Sequence, residues 1–124
     1  MCGIAGIWGP DAGERIEAIT AGLHHRGPDH QGIFRLPEKK LALGHRRLSI
    51  LDLSSAGNQP VHSHCGRYTM VYNGEVYNYA ELKRRLQERG HTPFNSRSDT
   101  EVLLEMFALY GTDMLPQLNG MFAV

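Results

Sequence analysis

Apolar positions along this 124-residue chain fall into short runs separated by glycine, proline and charge. Residues 3–8 are small and apolar, and they predict a short buried strand. From 12 to 24 the spacing changes to that of a helix, with Ile16, Ile19 and Leu23 on one face, until Gly27-Pro28-Asp29 breaks it. Residues 32–36 and 41–45 are two more apolar runs. The short charged link Pro37-Glu38-Lys39-Lys40 between them predicts an antiparallel hairpin. Leu48 to Leu53 is apolar again, Ser54 to Pro60 reads as loop, and Tyr68 to Tyr72 reads as a strand running into Asn73-Gly74.

Two further helices have clear borders. Asn78 and Glu81 stand in capping-box spacing before a helix that buries Leu82 and Leu86 and stops at Gly90. Ser98 and Glu101 repeat the spacing for a second helix, whose face is Val102, Leu103, Met106, Phe107 and Tyr110, with Gly111 at its end. Residues 120–124 form a last strand-like run. A domain seldom stops in mid-strand, because an open apolar edge invites aggregation, so the domain is expected to be truncated at its C-terminus. Strands joined by hairpin-length links and grouped before and after helices predict an α+β fold with largely antiparallel sheets, in one domain over 1–124.

Composition narrows the classes. Thirteen basic residues balance thirteen acidic ones, which argues against nucleic-acid and membrane-surface partners. No apolar run approaches a membrane span and the N-terminus lacks a signal-peptide pattern, so a cytoplasmic location is expected. The cysteines are Cys2 and Cys65, expected to be thiols in a reducing compartment. No G-x-G-x-x-G or Walker loop offers a phosphate cradle.

Chemistry concentrates at a few positions. Loss of Met1 would make Cys2 the amino terminus, joining a thiol and an α-amine of similar pKa in one residue: a nucleophile with its own general base. Taken singly, Cys2 is better read as a small buried residue at the start of an edge strand. Asn73-Gly74 can aim an amide and a backbone N–H at an oxyanion, but taken alone it is better read as a type I′ hairpin turn. Arg47 can clamp a carboxylate, or can belong to a solvated basic pair, the role expected of Arg46. Asp99 can bind an ammonium group or serve a helix dipole, and Glu75 can touch ligand or solvent. His62, His64 and Cys65 suggest zinc only faintly, since a closed site needs four ligands and no second pair follows. They are expected to be solvated loop residues, with no metal.

Seven motifs occur in order: Cys2-Gly3-Ile4-Ala5-Gly6, His25-Arg26-Gly27-Pro28-Asp29, residues 44–52 (GHRRLSILD), Gly57-Asn58-Gln59-Pro60, residues 72–78 (YNGEVYN), Ser98-Asp99-Thr100-Glu101 and Asn119-Gly120-Met121-Phe122-Ala123. The series resembles the class II glutamine amidotransferase domain of glutamine-hydrolysing asparagine synthetases. That resemblance implies an N-terminal-nucleophile hydrolase fold, an αββα sandwich of two antiparallel sheets. It implies that Cys2 attacks the side-chain amide of glutamine through a thioester, releasing glutamate and ammonia, with Asn73 and Gly74 as the oxyanion hole. Arg47 would clamp the glutamine α-carboxylate, Glu75 and Asp99 would surround its α-amine, and Leu48, Ser49, Ile50 and Leu51 would line the pocket through backbone atoms.

It also implies a partner, a synthetase domain in the same longer protein or in a separate chain. ATP and magnesium are expected only there, so no cofactor is expected in these residues. The alternative is a catalytically incomplete fragment that binds glutamine or a partner without turnover.

Overall fold

A computed structural model describes residues 2–49, 54–91 and 93–124 of the chain. Its first unit is a three-stranded antiparallel sheet of β1 (Gly3–Trp8), β2 (His30–Leu36) and β3 (Leu41–Arg47), ordered β1-β3-β2, with helix α1 (Ala12–Gly22) against it. The register places Ala5 and Ile33 opposite Gly44, and Ile7 opposite Ala42. Because side chains alternate across a strand, these residues share one face. That face meets Ala12 and Ile16 of α1 in a small core.

Helix and sheet approach closely at Gly44, where a β-carbon would collide with the Thr20 hydroxyl. That hydroxyl is itself engaged, donating to Ile16 O at 2.6 Å. The opposite face carries Leu43, His45 and Arg47 of β3 and Phe34 of β2. Phe34 meets the ring of His62 edge to face, with centroids 5.6 Å apart.

His62 belongs to the second unit. There β4 (Val61–His62) pairs with β5 (Thr69–Met70), and β6 (Asn73–Val76) pairs with β7 (Gly120–Ala123), both antiparallel. Helices α2 (Tyr79–Glu88) and α3 (Asp99–Tyr110) complete it. The larger core lies here, joining Met70, Tyr72 and Val76 to Leu82 and Leu86 of α2 and Val102, Leu103, Leu104 and Met106 of α3. Every strand pair among the described residues is antiparallel, as the hairpin-length links predict.

Local expectations fail where a tertiary contact outcompetes a local one. Strand β1 is an edge strand, only half-buried, and Trp8 is 84% exposed. Helix α1 ends at Gly22 and buries Ala12, Ile16 and Thr20, leaving Ile19 exposed. Neither capping box forms. The Asn78 side chain donates to Gln117 O and accepts from Asn119 N, tying α2 to the approach to β7. The Ser98 hydroxyl pairs with Ser96.

Glu101 turns back to accept from the N–H groups of Asn95 and Ser96 and from His64 Nε2. Burial raises its pKa, but these hydrogen bonds outweigh burial and leave it below the ordinary glutamate value. The expected strand over 68–72 shortens to Thr69–Met70.

His64 is an exposed turn residue, as expected, and it is also tied to α3. Its backbone N–H donates to the buried Glu105 carboxylate at 2.7 Å, and its ring reaches Glu101 at 2.9 Å. His62 is exposed as well, its ring bonded to the Thr69 hydroxyl, and Cys65 is exposed beside Ser63. Among the described residues, no group of three or more His, Cys, Asp and Glu side chains is arranged to hold a metal ion. No helix there is long and apolar enough to cross a membrane.

Candidate active site

A cleft of about 410 Å³ opens where the two units meet. Cys2 enters it from the start of β1. The pairing of Gly3 with Arg46 brings Cys2 beside the chain leaving β3, where Leu48 N–H points at the thiol sulfur over 3.5 Å. Asp29 secures this exit: its N–H donates to Arg47 O, and its carboxylate accepts from Ser49 N–H at 2.7 Å.

Arg47 is buried on the face of β3 that points to the second unit. Its Nη1 donates to Ser54 O at 2.6 Å and to Asn58 Oδ1 at 2.8 Å. Gly57 has no β-carbon because the guanidinium fills that space. Arg46, expected in solvent, is also buried, because strand alternation turns it to the other face. There it donates to Gly27 O and Gln31 Oε1, both at 2.9 Å.

Asn73-Gly74 is not a hairpin turn; both residues lie inside β6. A side chain at 74 would strike the β7 backbone at Met121 and Phe122, which explains glycine there. The register also orients its peptide. Tyr77 N–H donates to Asn119 O, so alternate positions along β6 turn their N–H groups toward β7 and the others away. Val76 N–H points away and is taken by Asp99 Oδ2 at 2.8 Å. By the same alternation Gly74 N–H points to that outer edge.

Asp99, the first residue of α3, accepts there from the Tyr72 hydroxyl as well, at 2.6 Å. Burial and the Asp99 carboxylate raise the Tyr72 pKa far above the ordinary phenol value, so the hydroxyl stays a donor. Deeper on the same face of β3 as Arg47, His45 is fully buried with no hydrogen bond of ordinary geometry to either ring nitrogen. Burial, opposed only by the Tyr72 backbone, pushes its pKa down to about 4.

The cleft thus gathers Cys2, Arg47, Leu48, Ser49, Asn73, Gly74, Glu75 and Asp99. Ile50 and Leu51 lie outside the described residues. A thiol, a guanidinium, an outward N–H and a carboxylate around one small cavity suit acyl transfer from a zwitterionic amide.

The family model described as glutamine amidotransferase domain matches residues 1–124. The chain belongs to that family. Among its relatives, asparagine synthetase (glutamine-hydrolyzing) 1 of Bacillus subtilis (strain 168) is 39% identical over 130 residues, covering 99% of this chain and 20% of that protein. The putative asparagine synthetase (glutamine-hydrolyzing) 2 of Methanocaldococcus jannaschii is 37% identical, covering 99% of the chain and 27% of that protein. Amidase chry2 of Gibberella zeae is 35% identical over 99% of the chain and 20% of its own length. The chain therefore spans about a fifth to a quarter of the curated relatives it matches.

Several wall residues of the amidotransferase cleft are not among the candidates the sequence offers, notably Gln59, Tyr72, Tyr77 and Arg97. Gln59 stands in the Gly-Asn-Gln-Pro motif, and a polar residue between glycine and proline is its one signal. Tyr72 reads as an ordinary strand residue. Only the fold turns its hydroxyl to Asp99.

Proposed function

We propose that this domain hydrolyses the side-chain amide of glutamine as the ammonia-supplying part of an asparagine synthetase-like protein. The observation that carries the reading is the convergence of Cys2, Arg47, Gly74 and Asp99 on one cleft. After removal of Met1, the Cys2 α-amine takes the thiol proton and the thiolate attacks the amide carbon. Asn73 Nδ2 and Gly74 N–H stabilise the oxyanion. The tetrahedral intermediate collapses by breaking C–N, with the proton passing from the ammonium group to the departing ammonia. Water then attacks the thioester, the amine again taking a proton, and glutamate leaves as the thiol is restored.

Arg47 holds the α-carboxylate, while Asp99 and Glu75 face the α-ammonium. The αββα sandwich of an N-terminal-nucleophile hydrolase accords with α1 covering one sheet and with α2 and α3 packing on the other side of the paired strands. A synthetase domain, within the same polypeptide or as a separate chain, is the proposed consumer of the ammonia. Relatives four to five times longer, two of them named as asparagine synthetases, support that part.

The test is glutamate release by the intact protein. Cys2→Ala should reduce it to background while leaving the melting temperature unchanged, and intact mass should show that Met1 is gone. Hydrolysis at an undiminished rate in Cys2→Ala would refute the reading.

A further inference from the structure

We infer that Gln59 is a positioning residue for the oxyanion site, its buried side-chain amide fixing the Tyr72 backbone and through it the Asn73-Gly74 donors. The inference rests on the glutaminase reading above. Gln59 is 6% exposed, and its amide makes both bonds that a neighbouring strand would make to one residue. Oε1 accepts from Tyr72 N–H at 2.6 Å, and Nε2 donates to Tyr72 O at 3.1 Å.

The need for such a mimic follows from the topology. Strand β5 ends at Met70 and β6 begins at Asn73, so Tyr72 lies in a gap between two ladders while being almost fully buried. Buried backbone groups require partners. Gln59 supplies both, one residue ahead of Asn73.

Gln59 is itself held. Its carbonyl packs so tightly on Gly32 of β2 that no β-carbon fits there. The same loop grips the Arg47 guanidinium through Ser54 O and Asn58 Oδ1. One bracket, residues 54–60, therefore ties the carboxylate clamp to the strand that carries the oxyanion donors. Displacing catalytic donors by about 1 Å can cost about 100-fold in rate. Removing the Gln59 amide loosens the oxyanion strand but leaves the Arg47 contacts to Ser54 and Asn58.

The experiment uses the intact protein in a Cys65→Ala background, with alkylation read on the N-terminal peptide by mass so that Cys2 is the thiol followed. Gln59→Leu deletes both bonds. Gln59→Glu keeps the size and the acceptor but loses the donor to Tyr72 O, and it serves if the leucine variant does not fold. For the folded variants, kcat for glutamine should fall about 10–100-fold with KM within about 3-fold. Inactivation by iodoacetamide, a displacement at carbon that forms no oxyanion, should proceed within about 2-fold of the parent rate. A kcat within about 2-fold of the parent, a rise in KM alone, or equal losses in hydrolysis and alkylation would each overturn the inference. Cys2→Ala is run alongside: hydrolysis persisting there overturns the glutaminase reading and the inference with it.

Discussion

The hydroxyl of Tyr72 lies 2.6 Å from Asp99 Oδ2, on the oxygen that also accepts Val76 N–H. Hydrogen bonds to a charged acceptor contribute about 1.5–3 kcal/mol, and two of them hold the carboxylate in one orientation. Tyr72→Phe removes one and lets that carboxylate turn. If Asp99 faces the substrate ammonium, KM for glutamine should rise about 3–10-fold while kcat changes less, since the ammonium is held alike in ground and transition states. Steady-state glutamate release checks this, and a fall in kcat without change in KM would contradict it. On the proposed reading, the side chain of Tyr72 serves binding and its backbone serves rate. No pattern in the sequence separates those roles, because each depends on a partner 13 or 27 residues away.

At the scale of elements, the apolar spacing of α2 is legible in the amino-acid order alone. Leu82 and Leu86 stand one turn apart and are 1% and 0% exposed. Leu86→Ala should cost about 2–5 kcal/mol, the range for emptying a buried leucine site, and urea unfolding monitored by circular dichroism would measure it. Helix borders are less legible. Asn78 and Ser98 have the residue types of N-caps, but both side chains are spent on other partners.

The Asn73-Gly74 pair shows the opposite limit. Its composition signals a hairpin, and its place inside β6 is decided by β7, more than 40 residues further on. Arg46 and Arg47 are adjacent and alike in composition, yet strand alternation sends one to Gly27 and Gln31 and the other to the cleft. The motifs contain most of the residues that line the cleft. The paired hydrogen bonds that shape it emerge only from the fold.

For the whole molecule, His45 sets a pH dependence of stability. Its folded pKa of about 4 lies below the unfolded value of 6.5. Above pH 6.5 the ring is neutral in both states and contributes no penalty. Between about 6.5 and 4 the unfolded chain binds a proton that the folded chain refuses, so stability falls as pH falls, by up to about 3 kcal/mol. Glu101 acts in the same direction at lower pH, since its depressed pKa stabilises the fold only while it stays ionised. Denaturation midpoints at pH 7.5 and 4.5 should therefore separate in the parent and draw together in His45→Leu. An equal separation in both would exclude His45 as the cause.

The two halves of the cleft come from different layers. Cys2 and Arg47 ride on the β1–β3–β2 sheet, whereas Gly74 and Asp99 ride on β6 and α3. Neither layer holds a complete set of groups, so turnover acts as a gauge of their alignment. Mild denaturant or heat that lets one layer slide on the other should therefore silence glutamine hydrolysis while helix and strand content, followed by circular dichroism, is still intact. On the proposed glutaminase reading, ammonia would then be released only by molecules whose layers are properly seated, and a half-folded chain would not waste glutamine.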